Sequence, residues 1–380
     1  MLQVILSLNP VYVTLFWAVV LNFYPSRTHP PKVFLGKFML VCFILYLSHF
    51  FYFTSQWDVY YYFDSFYMWA SLLVYPLYHI YVRLLTKERK FSLSQHGKYV
   101  ALPTLIFLLY GSGVLLTSSE VHNRFLQQTI STTLLQSPDT SGIHLYLLWV
   151  YRAARVVFVL QVFYFLYNNF RLIRQNSRQL QDYYSNTEDR KLRWVQFFNV
   201  SLAVTSLASI SAAITGREAF ASGEFSLAGP SVIFSTMLFF IGLLGNTQNP
   251  VRIETESPNN PEMEKERLPD QKLKRELESL FEQEKIFKNA DLKIWEVSQM
   301  LGTNRTYVSR FINSEYNRNF CNHVNYYRIQ YVKKLMKENH SFTNQQLAEM
   351  SGFGSLNSFY RAFQNLQGES FSQYRKKLAP

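Results

Sequence analysis

An all-α chain in two unlike parts is what the sequence predicts: an N-terminal bundle of seven transmembrane helices, then an all-α C-terminal domain with two helix-turn-helix units. Three observations predict it. Residues 1–250 are dense in Phe, Tyr, Leu and Val with long charge-free stretches, although the mean hydropathy of the 380-residue chain is only −0.07. Seven of those stretches approach the ~20 residues needed to cross ~30 Å of hydrocarbon. The tail from Gln345 to Arg375 reads QQLAEMSGFGSLNSFYRAFQNLQGESFSQYR, which has the pattern of two short helices around a turn.

The seven apolar segments lie near 3–24, 33–53, 63–85, 99–117, 144–167, 195–214 and 226–246. No basic residue precedes the first, so it reads as a retained span rather than a cleaved leader. Basic residues gather in alternate loops: Arg27 and Lys32; Arg83, Lys87, Arg89, Lys90 and Lys98; Arg171, Arg174, Arg178, Arg190, Lys191 and Arg193. The intervening loops hold only Arg124 and Arg217. That alternation predicts an N-terminus outside and a C-terminus in the cytoplasm.

Arg152 and Arg155 fall inside the fifth segment, where a charge is costly and is read as functional by default. Two readings stand: a cationic signal site for an anionic ligand, or a structural pair held by Asp64 or a tyrosine hydroxyl. Pro76 should kink the third helix or free a carbonyl. His49 and His79 lack neighbours at metal-ligand spacing and read as packed residues; Cys42 and Cys321 read as small buried hydrophobes. The outer loop 118–143 is too short for a folded sensor domain. No catalytic constellation appears, so no enzyme activity, metal or cofactor is expected.

Charge divides the chain again. Lys and Arg against Asp and Glu number 18 to 10 in residues 1–250, 6 to 10 in 251–284 and 14 to 6 in 285–380. Residues 251–271, with three prolines, read as an acidic linker that averages roughly 25 Å as coil. Leu273, Leu277, Leu280 and Phe281 then mark one helical stripe, facing either the domain that follows or a second copy of the chain.

In residues 272–380, Leu347, Ala348 and Met350 form an apolar face that stops at Gly352, and Ser355 stands where a helix N-cap is wanted. Phe359 and Phe363 recur at i, i+4 on the next helix. The motif also occurs upstream: Val297-Ser298-x-Met300-x-Gly302 repeats Leu347-Ala348-x-Met350-x-Gly352, and Ser309-Arg310-Phe311-Ile312 repeats Tyr360-Arg361-Ala362-Phe363. Phe320, Val324, Tyr327, Tyr331 and Leu335 predict a long helix between the two units. Second helices of such units can lie in the DNA major groove, and a basic domain suits that partner.

Over roughly 272–378 the chain resembles the AraC-type transcription regulators, at Leu347-Ala348, Gly352-Phe353, Ser355, Phe359, Arg361, Phe363, Gly368, Ser370 and Tyr374-Arg375, and in the helix pattern FCNHVNYYRIQYVKKLM. It departs at Phe371, where proline is usual, which would loosen the start of the last helix without affecting base contacts, and at Asn317, where glycine is common and asparagine is a mild replacement. The resemblance implies that Asn304 caps the first reading helix, and that Arg305, Thr306, Ser309 and Arg310 face DNA. In the second unit Leu356, Asn357, Tyr360 and Arg361 take those places.

The expectation is a multi-pass protein of a bacterial inner membrane that binds promoter DNA from the cytoplasm and answers a small-molecule or protein signal. Its partners would be double-stranded DNA, the lipid bilayer and, as an open alternative, a second copy. The competing readings are a transporter or enzyme with a regulatory appendage, and spans that serve only as an anchor.

Overall fold

The computed structural model describes residues 2–23, 30–88, 90–131, 142–187, 192–215, 228–247, 270–339 and 341–378. Those residues form fifteen α-helices and no named strand, so the all-α expectation holds. They fall into two compact units. One joins 1–174 to 192–250; the other joins 175–191 to 251–380.

In the first unit the helices are α1 (Leu2–Phe23), α2 (Pro30–Phe53), α3 (Trp57–Thr86), α4 (Leu93–Leu115), α5 (Ser119–Ser131), α6 (Ile143–Tyr183), α7 (Arg193–Thr215) and α8 (Ala228–Thr247); the last residues of α6 belong to the second unit. Three are long and apolar enough to cross a membrane: α2, α4 and α6. Shorter apolar helices occupy Leu8–Phe23, Trp194–Leu207 and Ser231–Thr247. The count of seven spans is therefore not exact: among the described residues the other apolar helices are shorter, or, as α3 with its many tyrosines, less apolar.

Apolar side chains such as Leu40, Leu105, Leu108, Trp149, Leu160 and Phe163 are exposed on these helices. That is costly in water and ordinary against lipid. Inside, α1, α2, α3 and α8 share a core of Trp17, Leu35, Phe38, Met39, Tyr78 and Ile241. On α8, Gly242 and Gly245 leave room for the Trp17 ring and Leu35, where any Cβ would collide. Small residues at such contacts let helices approach closely. α3 runs unbroken through Pro76, so the proline does not end the helix. Residues 118–143, expected as a connecting loop, contain a helix of their own, α5.

In the second unit α9 (Asp270–Glu282) leads through a 3₁₀ turn (Ile286–Lys288) to α10 (Ile294–Met300) and α11 (Arg305–Tyr316). The connecting helix α12 (Phe320–Glu338) is followed by α13 (Asn344–Met350), α14 (Leu356–Gln367) and α15 (Phe371–Leu378). The stripe Leu273, Leu277, Leu280 and Phe281 is buried in the core of this unit, beside Val308, Ile312 and Val324. A second core, built on Ile329, Val332, Leu347, Phe359 and Phe363, holds the C-terminal half. The acidic linker lies outside the described residues, except that Asp270 and Gln271 open α9.

Candidate nucleic-acid interface

Each helix-turn-helix is assembled by local hydrogen bonds that the sequence supplies. In the first, Glu296 accepts the Lys293 backbone N–H at 2.8 Å and starts α10. Gly302, at φ +61°, turns the chain, and Asn304 Oδ1 accepts the Tyr307 N–H at 2.9 Å. A side-chain acceptor here satisfies one of the N–H groups left open at a helix start. α11 then buries Val308, Phe311 and Ile312. It ends on Asn317 at φ 49°, a left-handed conformation that asparagine tolerates.

The second unit repeats this design. Thr343 and Gln346 cap α13 reciprocally, at 3.2 and 2.9 Å. Gly352 turns at φ +82°, and Ser355 Oγ accepts the Ser358 N–H at 3.2 Å to start α14. Phe359, Ala362 and Phe363 are buried.

With those faces inward, the predicted reading residues divide cleanly. On α11 Thr306 and Arg310 are exposed, while Arg305 and Ser309 are half-buried. On α14 Asn357 and Arg361 are exposed, while Leu356 and Tyr360 are half-buried. Each set forms two i, i+4 pairs, which lie together on a helix surface. Tyr360 also works inside the unit: its hydroxyl accepts from Asn344 Nδ2 at 2.9 Å and its ring lies against Phe371.

Phe371 corrects an expectation. Its ring sits in the second core, 4.6 Å from the Phe359 centroid and 5.1 Å from that of Phe363. The helix start stays anchored, because Ser370 Oγ accepts the Gln373 N–H at 3.3 Å. The missing proline is replaced by core volume, and the start of α15 is capped. Arg375 adds a second anchor by donating to the Phe342 carbonyl at 2.7 Å and to Asn344 Oδ1.

Two features escaped the sequence reading. One is Arg328, a buried cation midway along α12. Its Nε donates to the Phe287 carbonyl at 2.8 Å, and its Nη2 donates to the Asn289 carbonyl at 2.8 Å and to Ser185 Oγ at 3.2 Å. Burial lowers its pKa to about 10, which leaves it charged at neutral pH. The other is the stretch that supplies Ser185. Leu180, Tyr183 and Tyr184 are buried in the same core as the first helix-turn-helix. Their i, i+3, i+4 spacing was a readable signal, hidden because the stretch follows Arg171, Arg174 and Arg178 and reads as a basic loop between two apolar segments.

In the first unit, Arg155 Nη2 donates to the Tyr151 hydroxyl at 2.9 Å, with the guanidinium 4.5 Å from that ring centre. Arg152 lies over Trp149 at 5.6 Å. Asp64 is buried, and its oxygens accept from Tyr60 at 3.0 Å and Tyr110 at 2.7 Å and meet His122 Nε2 at 3.0 Å. His79 Nδ1 meets Asn169 Oδ1 at 2.7 Å, and both cysteines are buried thiols outside any disulfide, Cys321 Sγ donating to the Ser185 carbonyl at 3.2 Å.

Against known proteins, residues 297–377 match the model of a helix-turn-helix domain family. The match runs from α10 into α15 and so takes in both units. No curated protein matches the chain, and no solved structure matches it. Geometry and match together support a DNA-binding transcription regulator with a helix-turn-helix domain over residues 297–377.

Proposed function

We propose that the chain is a membrane-embedded, sequence-specific transcription regulator, a one-component sensor that couples a membrane or extracytoplasmic signal to promoter binding. The observation that carries the DNA reading is the doubled unit. Two capped helices, α11 and α14, each turn an apolar face inward and expose polar and basic side chains outward. Arg305, Thr306, Ser309 and Arg310 on one, and Leu356, Asn357, Tyr360 and Arg361 on the other, are the proposed reading set. Arginine suits guanine, asparagine suits adenine, and threonine or leucine suits a thymine methyl.

Membrane embedding is supported by the apolar helices with exposed apolar faces, and a cytoplasmic C-terminus by the loop charges. Residues 1–250 would be the membrane domain, 251–271 the linker and 272–380 the DNA-binding domain. Arg152 and Arg155 are the proposed signal site in the fifth apolar segment, and a signal would act by shifting a population between DNA-competent and incompetent states.

The test is selection from a randomised duplex library by the full-length protein in lipid nanodiscs. The reading requires an enriched site with two blocks about one helical turn, ~34 Å, apart. Enrichment no greater than empty nanodiscs overturns it.

A further inference from the structure

Residues 175–187 lie far upstream of α9, yet they belong to the same compact unit as both helix-turn-helix motifs. Their attachment is specific. Tyr184 forms an antiparallel bridge with Lys293, and the Ser185 N–H donates to the Leu292 carbonyl at 3.0 Å, just ahead of α10. Gln181 Oε1 accepts from Asn319 Nδ2 at 3.2 Å, at the cap of α12.

The same stretch reaches both reading helices. The Tyr183 ring lies 5.7 Å from the guanidinium of Arg305, the first residue of α11. Asn186 packs against Gly354, two residues before α14, so closely that a Cβ there would collide with its amide. Between these points Ser185 holds Arg328, whose other bonds go to the Phe287 and Asn289 carbonyls. The Phe287 and Lys288 carbonyls in turn abut Gly352, the turn of the second motif, where a Cβ would stand 2.5 Å from each.

We propose that residues 180–187 are a strap that sets the relative position of the two reading helices, and that Tyr183, Ser185 and Asn186 are positioning residues for DNA recognition. The proposal rests on the two motifs reading one DNA site together. A strap that meets the start of α11, the turn before α14 and the middle of α12 constrains both ends of the reading surface. The strap begins within the last residues of α6, 180–183.

Relative position has its own readout. Inserting a base pair between the two halves of a site moves one half by ~3.4 Å and rotates it by ~35°, so spacing preference measures how firmly the helices are held. The full-length protein in nanodiscs is assayed on its selected site and on versions lengthened by one and two base pairs. The wild type should lose roughly tenfold or more over two inserted pairs, the scale of a disrupted half-site contact. Tyr183→Ala combined with Ser185→Ala should weaken binding at the selected spacing and bring the ratio between spacings towards one. Ser185→Ala alone leaves the apolar contacts intact and should flatten the ratio by a smaller factor; it decides the matter if the double variant unfolds, which hydrogen exchange across α11 and α14 would reveal. Folded variants that keep the wild-type ratio overturn the strap alone. A wild type that selects no sequence overturns the DNA reading, and the strap falls with it.

Discussion

Arg328 donates a hydrogen bond to the Ser185 hydroxyl at 3.2 Å, across a sequence separation of 143 residues. Arg328 is 1% exposed, and its guanidinium donates to neutral oxygens: two backbone carbonyls, the Asn325 amide and that hydroxyl. A buried cation is tolerated when its donors are this well placed. The bonds join α12, the 3₁₀ turn and the chain after α6, so one side chain ties three separated stretches into a single unit.

Base reading makes the first prediction. Arg305→Ala and Asn357→Ala should each reduce discrimination between the selected site and a scrambled one by about 1–3 kcal/mol. Arg310→Ala and Arg361→Ala separate two roles. If they grip phosphate, affinity falls evenly on all sequences and the slope of log affinity against log salt drops by about one. Binding isotherms at four salt concentrations distinguish the outcomes.

Glycine at the two turns makes the second. Gly302 and Gly352 both have positive φ, but a Cβ on Gly302 meets open space, whereas one on Gly352 meets the Phe287 and Lys288 carbonyls at 2.5 Å. Gly302→Ala should cost about 1–2 kcal/mol from backbone strain alone. Gly352→Ala should cost clearly more, because the 3₁₀ turn that Arg328 fastens must move. Urea unfolding of the two variants gives the comparison.

The aromatic that stands in place of proline makes the third. Phe371→Ala removes a ring buried among Phe359, Phe363 and Tyr374 and should cost about 3–5 kcal/mol. Phe371→Pro, which restores the residue usual in the resembling family, should be nearly as damaging here. A melting temperature equal to wild type for Phe371→Pro would show that the ring is dispensable.

Acid makes the fourth. Burial among Phe281, Tyr316 and Tyr327, with Arg318 adding to it, lowers the His323 pKa from its ordinary 6.5 to about 3. Below pH 6.5 the unfolded chain binds a proton that the folded unit refuses. The neutral imidazole therefore costs nothing above pH 6.5, and stability falls as pH drops from 6.5 towards 3, by up to about 1.4 kcal/mol per unit. From pH 7 to pH 5 the loss from this group should approach about 2 kcal/mol. His323→Phe should remove it, read as the difference in pH slope between the two proteins in urea melts.

What the sequence made legible was local. Caps at Asn304 and Ser355, the turn at Gly352, the left-handed Asn317 and the stripe from Leu273 to Phe281 are decided within a few residues of one another. What escaped it depends on chain brought from far away. Asp64 was readable only as a partner for Arg152 and Arg155, whereas Tyr110 and His122, which it meets, lie 46 and 58 residues on. Nothing near Arg328 signals that Ser185 will face it. Phe371 misled for a related reason: a departure from a family pattern says what is missing, whereas the neighbouring rings say what fills the space.

The strap changes where the DNA-binding domain can be cut. A fragment beginning at residue 272 would leave uncovered the apolar surface that Leu180, Tyr183 and Tyr184 occupy, and would deprive Arg328 of its hydroxyl. Cleavage in 251–269 would likewise leave the domain held non-covalently by residues of α6. The domain is thus a poor cassette for grafting onto another protein, and a single cut within 251–269 would nick the chain without releasing it.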